Sequence, residues 1–203
     1  MEIFVNGAKA DVTLDTEKNL GDVLKSFESE CEKNNATTIN IVVNGTELKS
    51  EDFESQTETA IEDIQTLELT TIALSDIYDA FKNISSNLIS ISEKLRDISV
   101  QFQKGQDAKA ITTIKELAET FSFFCRIVTL SALFPDEFEN LKIENKPVLE
   151  FFEDFSPIFN DFEDALKNSD SVLMGDLAEY EISPRVDAIV AMIDSLLKNG
   201  RCQ

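Results

Sequence analysis

The sequence contains no histidine. Histidine is the most common general base and metal ligand near neutral pH, because its charge changes between about pH 5 and 8. Its absence excludes Ser-His and Cys-His nucleophilic sites and histidine-carboxylate metal sites. The chain also lacks a GxxxxGK[ST] loop and a GxGxxG motif after a strand, which are the ordinary phosphate-binding loops of nucleotide sites. Most hydrolase mechanisms and ordinary nucleotide sites are therefore not expected.

Basic residues are scarce: 18 Lys and Arg stand against 39 Asp and Glu, for a net charge of -21. Such a field repels phosphate backbones and anionic lipid headgroups, so we expect no direct binding of nucleic acid. No run of 18 or more apolar residues is present, and membrane insertion is not expected either. Residues 1–73 hold 16 acidic and 5 basic residues, a net charge of -11. This charge either solubilises the surface or recognises a basic partner, with the acidic segment 51–54 as the candidate contact.

Cysteine is also rare, and its placement is not that of a disulfide framework. Cys31, Cys125 and Cys202 are odd in number, far apart and without CxxC spacing, which is typical of reduced thiols in a cytosol. Cys125 is interpreted as a small core residue. The opening segment Glu2-Ile3-Phe4-Val5 has neither the basic nor the apolar region of a signal peptide. We expect a soluble cytoplasmic protein.

The first 73 residues alternate between strand and helix periods. Residues 3–5 and 10–14 have period two and flank Asn6-Gly7, which predicts a hairpin closed by a type I′ turn. One helix is predicted from an apolar set at helical spacing: Leu20, Val23, Leu24, Phe27 and Cys31. Further strands are predicted at 39–43, followed by another turn at Asn44-Gly45, and at 64–69. The order ββαββ predicts a helix lying across a sheet, with the strand from residue 39 at its centre.

Three stretches of this region resemble the ubiquitin superfamily, in the same order along the chain. They are Met1-Glu2-Ile3-Phe4-Val5, Leu20-Gly21-Asp22-Val23-Leu24 and Val42-Val43-Asn44-Gly45-Thr46-Glu47-Leu48. The resemblance covers residues 1–72 and implies a ubiquitin-like β-grasp fold, but it implies no activity, since the matching positions are core residues and turn glycines. Ubiquitin and its sulfur-carrier relatives end in a free Gly-Gly tail, whereas this chain continues through Thr70-Thr71-Ile72 into a helix. A conjugated modifier or a sulfur carrier is therefore not expected.

The remainder of the chain has helical periodicity. Apolar residues at steps of four and three predict a first helix: Ile77, Phe81, Ile84, Leu88, Ile91, Leu95, Ile98 and Phe102. Gly105 ends it. A second helix runs from Asp107 to Phe134-Pro135 with its own predicted seam: Ile111, Ile114, Ala118, Phe121, Cys125, Val128 and Ala132. The short connection makes the two helices antiparallel.

Two more helices are expected after an acidic linker. Pro147 opens the third, which has Pro157 as a candidate kink and carries Val148, Phe152, Phe155, Phe159, Phe162 and Leu166. Residues 168–170 either end this helix or lie within it, and Pro184 either bends or splits the final stretch, which ends at Lys198-Asn199-Gly200. The predicted fold class is α+β. It comprises a ubiquitin-like β-grasp domain at 1–73 and an all-α antiparallel helical bundle of three to four long helices at 74–203.

The segment from Asp170 to Pro184 carries a second resemblance. Its motif Asp176-Leu177-Ala178-Glu179-Tyr180-Glu181-Ile182-Ser183-Pro184 is similar to one in an uncharacterised family of bacterial proteins that also pair a β-grasp-like start with helices. The resemblance implies an architecture and a bacterial source, not an activity. Asp176, Glu179 and Tyr180 lie within one helical turn, so they form either a polar packing or cation site or a solvated face. No calcium-loop pattern accompanies them.

Two aromatic sets are the other candidate interaction positions. Phe123, Ile127, Leu130 and Phe134 form a second apolar stripe beside the seam of the second helix, which indicates either a central helix covered on both sides or an exposed groove for a partner helix or a dimer. In the third helix, Phe151 lies off the predicted seam. We interpret it as the one exposed aromatic residue of that helix.

These patterns favour a non-enzymatic protein–protein interaction protein. It would be an adaptor, an assembly factor or a chaperone, including one for secretion or flagellar export by analogy with other acidic helical bundles. Its partner would be a basic protein, a protein with an amphipathic helix, or a second copy of the chain. The alternatives are an acidic inhibitor that mimics nucleic acid, and a carboxylate-based, metal-dependent enzyme. No catalytic residue, cofactor or metal ligand is assigned.

Overall fold

A computed structural model describes residues 1–199, and the chain divides into two compact units between Ile77 and Tyr78. Gly200 and Cys202, for which the sequence predicts a helix stop and a reduced thiol, lie outside the described residues. The first unit is a sheet with helices and the second is mainly helical. The predicted α+β class, with the sheet first and the helices after it, is confirmed.

The first unit consists of a sheet, one long helix and a short helical segment. Its elements are β1 (Glu2–Val5), β2 (Ala8–Lys9), α1 (Leu20–Lys33), β3 (Ala36–Val43), β4 (Thr46–Glu47), α2 (Phe53–Thr57), a 3-10 turn (Ile61–Asp63) and β5 (Thr66–Ala73). Asn19 caps α1, since its side chain accepts a hydrogen bond from the backbone N–H of Asp22. The core joins α1 to the sheet through Ile3, Leu20, Val23, Ile64, Leu67 and Leu69.

The strand order is β2-β1-β5-β3-β4, so β5 and not β3 is the central strand. It pairs in parallel with β1 and antiparallel with β3. The prediction that the strand from residue 39 is central is wrong, because period two identifies the buried face of a strand but not its neighbours. The predicted second strand of the hairpin is also misplaced. It was expected at 10–14, whereas β2 ends at Lys9 and Val12 is 51% exposed.

Both predicted Asn-Gly turns are confirmed. Asn6 and Gly7 have φ values of 50° and 80°, and Asn44 and Gly45 have 50° and 79°, which are the positive values that a type I′ turn requires. The asparagine side chains also bind the central strand. Asn44 Oδ1 accepts from the backbone N–H of Thr66 at 3.1 Å, and Asn6 Oδ1 accepts from that of Thr71 at 2.8 Å. The turns therefore fix strand register as well as chain reversal.

The second unit contains helices interrupted by short turns and one hairpin. A long helix, α3 (Leu74–Arg96), leads into it and is followed by α4 (Ile98–Gln103), α5 (Asp107–Ser131), α6 (Pro135–Phe138), β6 (Lys142–Ile143), β7 (Lys146–Pro147), α7 (Val148–Lys167), α8 (Ser171–Asp176), a π-helical segment (Leu177–Ile182) and α9 (Ser183–Asn199). The region is therefore not all-α as predicted. Glu144 and Asn145, with φ values of 51° and 66°, close the β6–β7 hairpin where the sequence was interpreted as an acidic linker. The positive φ values again allow a two-residue turn.

The predicted seam residues of the first helix from Ile77 to Ile98 are all buried, so this part of the prediction is confirmed. The helix is not continuous, however, because a turn at Asp97 separates α3 from α4. As a result Gln101 is buried in α4, and Phe102, the last predicted seam residue, is only half-buried.

The buried face of α5 lies one position before the predicted seam. Its buried residues are Ala110, Thr113, Leu117, Phe124, Ile127 and Ser131, whereas Ile111 and Ala118 are exposed. The error arises because apolar residues occupy both faces and the buried face includes two hydroxyls. Those hydroxyls need no external partner. Thr113 donates to the carbonyl of Lys109, and Ser131 donates to that of Val128.

The last helical stretch runs from Ser171 to Asn199 without a break, so Pro184 does not split it. Proline has no backbone N–H and its ring crowds the carbonyl four residues earlier. The preceding π segment changes the hydrogen-bond spacing, since the N–H of Ser183 donates to the carbonyl of Ala178, five residues back. Pro157 likewise does not end α7.

Polar contacts join α9 to α3. Asp187 accepts from the hydroxyl of Ser92 at 2.6 Å and from the guanidinium of Arg96 at 2.5 Å. About two helical turns further along α9, Asp194 accepts from the hydroxyl of Ser85 at 3.1 Å. These pairs fix the rotation of α9 against α3.

Gly175 allows α8 to approach α4 closely. A Cβ atom at this position would lie 2.5 Å from Ser99 Oγ and 3.2 Å from Ser99 Cα. A Gly-to-Ala change inside a helix normally stabilises it by about 1 kcal/mol, whereas overpacking costs about 1–3 kcal/mol. We expect Gly175→Ala to lower the thermal unfolding midpoint, as followed by circular dichroism. Adding Ser99→Ala should recover part of the loss, and a rise in midpoint for Gly175→Ala alone would contradict this packing.

Candidate interaction site

In the first unit, α1, β3 and α2 enclose a groove of about 500 Å³. Its lining residues are Gly21, Leu24, Lys25, Glu28, Thr38, Ile41, Phe53 and Thr57. Leu24 and Ile41 pack against the core of the unit and form an apolar floor. Phe53 remains 43% exposed although it is aromatic. An exposed aromatic ring beside an apolar floor is a feature of binding grooves.

Contacts between α1 and the segment around α2 set one end of this groove. The backbone N–H of Leu20 donates to the carbonyl of Thr59 at 2.9 Å. A Cβ atom at Gly21 would lie 3.1 Å from Thr57 Cβ, so the glycine permits this close approach. The start of α1 is therefore held against the end of α2, and the groove opens along α1 toward Glu28.

The side of β3 that faces away from β5 is only partly paired. β4 pairs with β3 at Val42 and Val43 alone, and the N–H of Leu48 donates to the carbonyl of Ile41. Within residues 1–77, no strand pairs with residues 36–40 on that side. The register with β5 shifts between Thr38 and Asn40, and Ile39 at this irregularity is 39% exposed.

The carboxylate of Glu28 occupies this free edge of β3. It accepts from the hydroxyl of Thr37 at 2.7 Å, and from both the hydroxyl and the backbone N–H of Thr38, at 2.7 and 3.2 Å. Glu28 is half-buried, so the contact is sheltered from water. Nearby, burial raises the pKa of the Cys31 thiol, and the negative charge of Glu28 raises that pKa further. The thiol therefore stays protonated and weakly reactive.

The acidic segment predicted at 51–54 lies beside the groove. Glu51, Asp52, Glu54 and Glu58 are all exposed along α2 and its ends, whereas Lys25 is the basic residue of the lining. The sequence singled out this segment for its charge. The structure adds that Phe53, between the acids, lines an apolar groove.

The predicted stripe on α5 does not share one environment. Phe123 is exposed, Ile127 is buried, and Leu130 and Phe134 are half-buried. The structure therefore does not bring these four residues together as a single exposed surface.

Phe151 is buried, so its interpretation as the exposed aromatic residue of α7 is wrong. Its ring centroid lies 6.0 Å from that of Phe155, on the same buried face as Val148. Leu149, two positions earlier, is 75% exposed instead. The predicted seam had placed Phe152 inward, and a helix can place only one of two adjacent residues at the centre of its buried face.

Asp176, Glu179 and Tyr180 lie on the side of the helix away from the core. Asp176 and Tyr180 are exposed and Glu179 is half-buried, whereas Ala178 and Ile182 are buried. Neither Asp176 nor Leu177 continues the buried seam. Among residues 1–199, no group of three or more carboxylates or cysteines is placed to hold a metal ion.

Arg185 was not singled out by its sequence context, although it follows the motif directly. Its Nη1 donates at 2.8 Å to both the carbonyl and the carboxylate of Glu181, one turn earlier. Its guanidinium carbon also lies 6.0 Å from the ring centroid of Phe155 on α7. The C-terminal part of the motif therefore supports helix packing through Arg185.

In the part of the chain that the structure covers, residues 1–199, no helix is long and apolar enough to cross a membrane.

Two family models match the chain. The model of the TP0873 N-terminal domain matches residues 1–73, and that of a domain of unknown function, DUF8042, matches residues 79–191. A protein of Treponema pallidum (strain Nichols), titled "Uncharacterized protein", is 28% identical over 186 residues, which cover 92% of each chain. No solved structure matches. These findings agree with the expected bacterial family.

The two tyrosines offer a test of the local electrostatics. Burial, together with the hydrogen bond that Tyr78 Oη donates to Glu137 at 2.8 Å, raises the pKa of Tyr78 to about 12. The pKa of the exposed Tyr180 is raised mainly by the charge of Glu179. Because salt screens exposed charges, we expect added salt to lower the pKa of Tyr180 and to leave that of Tyr78 nearly unchanged, in an absorbance titration of the phenolates.

Tyr78→Phe and Tyr180→Phe assign the two titrations, and Glu179→Gln should lower the pKa of Tyr180 alone. The folded state holds the Tyr78 proton more tightly than the unfolded chain. The raised pKa of Tyr78 therefore adds to the free energy of unfolding in full below about pH 10, and this contribution is lost as the pH rises toward 12. Equal salt dependence of both tyrosines would contradict the assignment.

Proposed function

The chain belongs to the family of the domain of unknown function DUF8042, and we propose that it is a non-enzymatic protein–protein interaction protein, an adaptor, assembly factor or chaperone. The observation that carries this proposal is the groove of the first unit, where the exposed Phe53 lies beside an apolar floor and among acidic side chains. We refer to it as the α1–β3 groove.

The chemistry of the α1–β3 groove specifies its partner. The apolar floor of Leu24 and Ile41 favours an aliphatic or aromatic side chain, since removing such surface from water stabilises the bound state. The surrounding acids and the net charge of -11 on residues 1–73 attract Lys and Arg. The partner is therefore a protein segment that carries apolar side chains flanked by basic ones.

The fold proposed for the first unit is a ubiquitin-like β-grasp. Several features support it: the hairpin, the helix α1 packed on one face of the sheet, and the parallel pairing of β1 with β5 at the centre of the order β2-β1-β5-β3-β4. A fold of this type supports binding rather than a particular reaction. The D-L-x-E-Y-E-[IL]-x-P motif would then serve the packing of the helical unit, through the π segment and Arg185.

The proposed compartment is the cytoplasm. Cys31 and Cys125 are both free thiols, and burial raises the pKa of each. Free, protonated thiols are typical of proteins that remain in a reducing environment.

Affinity capture from cells of the source organism tests the proposal. The full-length tagged chain is compared with Phe53→Ala, and recovered proteins are measured by quantitative mass spectrometry. Truncating an aromatic residue at the centre of an interface commonly weakens binding by more than about tenfold. We expect a basic partner whose recovery falls by about this factor with Phe53→Ala and also falls as the salt concentration rises.

Val12→Ala is the matched control, because Val12 is an exposed apolar residue of the same unit that does not line the groove. Recovery should be unchanged with this variant. A partner recovered equally with both variants, and at both low and high salt, would refute the role of the groove.

A further inference from the structure

We propose that residues 36–40 of β3 accept an extended peptide segment as an additional strand, with one of its apolar side chains in the α1–β3 groove and a Lys or Arg paired with Glu28. The inference rests on the proposed function and specifies its mode of recognition. The partner is an extended segment of another protein that carries an apolar residue and a basic residue two positions apart, because side chains two positions apart lie on the same face of a strand.

The free edge of β3 supplies the main-chain hydrogen bonds. Five residues of strand span about 17 Å, which is enough to pair with a short peptide. β5 occupies the other side of β3, and β4 begins only at the level of Val42 and Val43. The stretch 36–40 therefore presents an incomplete strand edge next to an apolar groove. Addition of a strand at such an edge is a common mode of peptide recognition.

Glu28 acts as a removable substitute for the missing strand. Its carboxylate accepts from the backbone N–H of Thr38, an atom that an added strand would otherwise pair with. The hydroxyls of Thr37 and Thr38 hold the carboxylate in place through hydrogen bonds of 2.7 Å each. A half-buried carboxylate that leaves these donors needs a new partner, and a Lys or Arg of the peptide supplies it. The arrangement favours a basic peptide over a neutral one.

The net charge of the first unit favours a basic peptide over a second copy of the chain as the occupant of the β3 edge. Residues 1–73 carry a net charge of -11, so the edges of two copies would repel each other. Around the groove, Glu51, Asp52, Glu54 and Glu58 add to the negative potential. A basic segment is attracted by the same charges that oppose pairing between copies.

The test uses the full-length chain and defined synthetic peptides. The probe is a capped heptapeptide, Thr-Val-Thr-Lys-Thr-Val-Thr, whose Val and Lys side chains share one face of an extended strand. Binding is measured by isothermal titration calorimetry. Three companion peptides keep the same apolar residues. Two of them carry N-methyl groups on alternate backbone amides, one in each of the two possible phases, and the third has Gln in place of Lys. We expect binding of the Lys peptide to weaken by about tenfold or more on N-methylation of one phase and much less on the other.

Glu28→Ala separates the two roles of the carboxylate. It frees the N–H of Thr38, so the Gln peptide should bind several-fold more tightly to Glu28→Ala than to the wild type. It also removes the ion pair, so the preference for Lys over Gln should shrink. Glu30→Ala is the matched control, because Glu30 lies on the same helix and pairs with Lys33 without touching β3. Circular dichroism confirms that both variants are folded.

Strand addition would be overturned by any one of three results. These are equal sensitivity to both phases of N-methylation, equal affinity of the Gln peptide for wild type and Glu28→Ala, and no binding of any peptide to either protein. The proposed function is judged separately by capture with Phe53→Ala. If that capture is lost while N-methylation has no effect, the groove binds its partner without strand pairing. If capture does not depend on Phe53, the proposed function itself fails.

Discussion

The position of β5 between β1 and β3 is the constraint from which the arrangement of the first unit follows. The last strand enters the middle of the sheet, and its leucines, Leu67 and Leu69, become the most deeply buried strand residues beneath α1. β3 is thereby moved outward, where only the two residues of β4 cover its far side. The incomplete edge, the carboxylate that occupies it and the groove beside it all follow from this insertion.

Both units use a charged side chain where the regular hydrogen-bond pattern of the backbone is interrupted. In the first unit, Glu28 accepts from the backbone N–H of Thr38, on the side of β3 where no strand pairs with this residue. In the second unit, Arg185 donates to the carbonyl of Glu181, which lies within the π segment and shortly before Pro184. Backbone groups that lack a partner are costly when sheltered from water, so such side chains stabilise the irregularity. The two contacts differ in how easily the side chain can leave its backbone partner. The carboxylate lies at an open edge, whereas the guanidinium is held between its own helix and the ring of Phe155.

Local signals in the sequence were sufficient for the turns, for α1 and for the buried face of α3. Asn-Gly pairs specify positive φ values by themselves, and the strict steps of four and three in α3 leave one apolar face. The same reasoning failed for α5, where Phe121 and Phe124 both look internal and the buried face includes Thr113. It failed at Phe151 because two adjacent phenylalanines compete for one position. Strand order could not be read either, since it depends on which strands meet and not on their periodicity.

The candidate site was visible only in part. The acids around Phe53 were apparent as a charged segment, but the groove requires α1 and β3 to be brought beside them. No feature of the sequence around Glu28 indicates its role, because its partners Thr37 and Thr38 lie about ten residues away on another element. The motif residues Asp176 and Tyr180 drew attention for their chemistry, yet they face solvent, and the contacts of that region are made by Gly175 and Arg185.

The π segment also constrains how many residues the chain can have between 177 and 182. A π turn is in effect one extra residue accommodated within a helix. Removing a single residue between 177 and 182 would restore ordinary α-helical spacing and rotate everything after it by about 100°. Asp187 and Asp194 would then no longer face Ser92 and Ser85 on α3. Insertions and deletions in this family should therefore be tolerated in the loops but not within this helix, even though Asp176 and Tyr180 on its outer face are exposed.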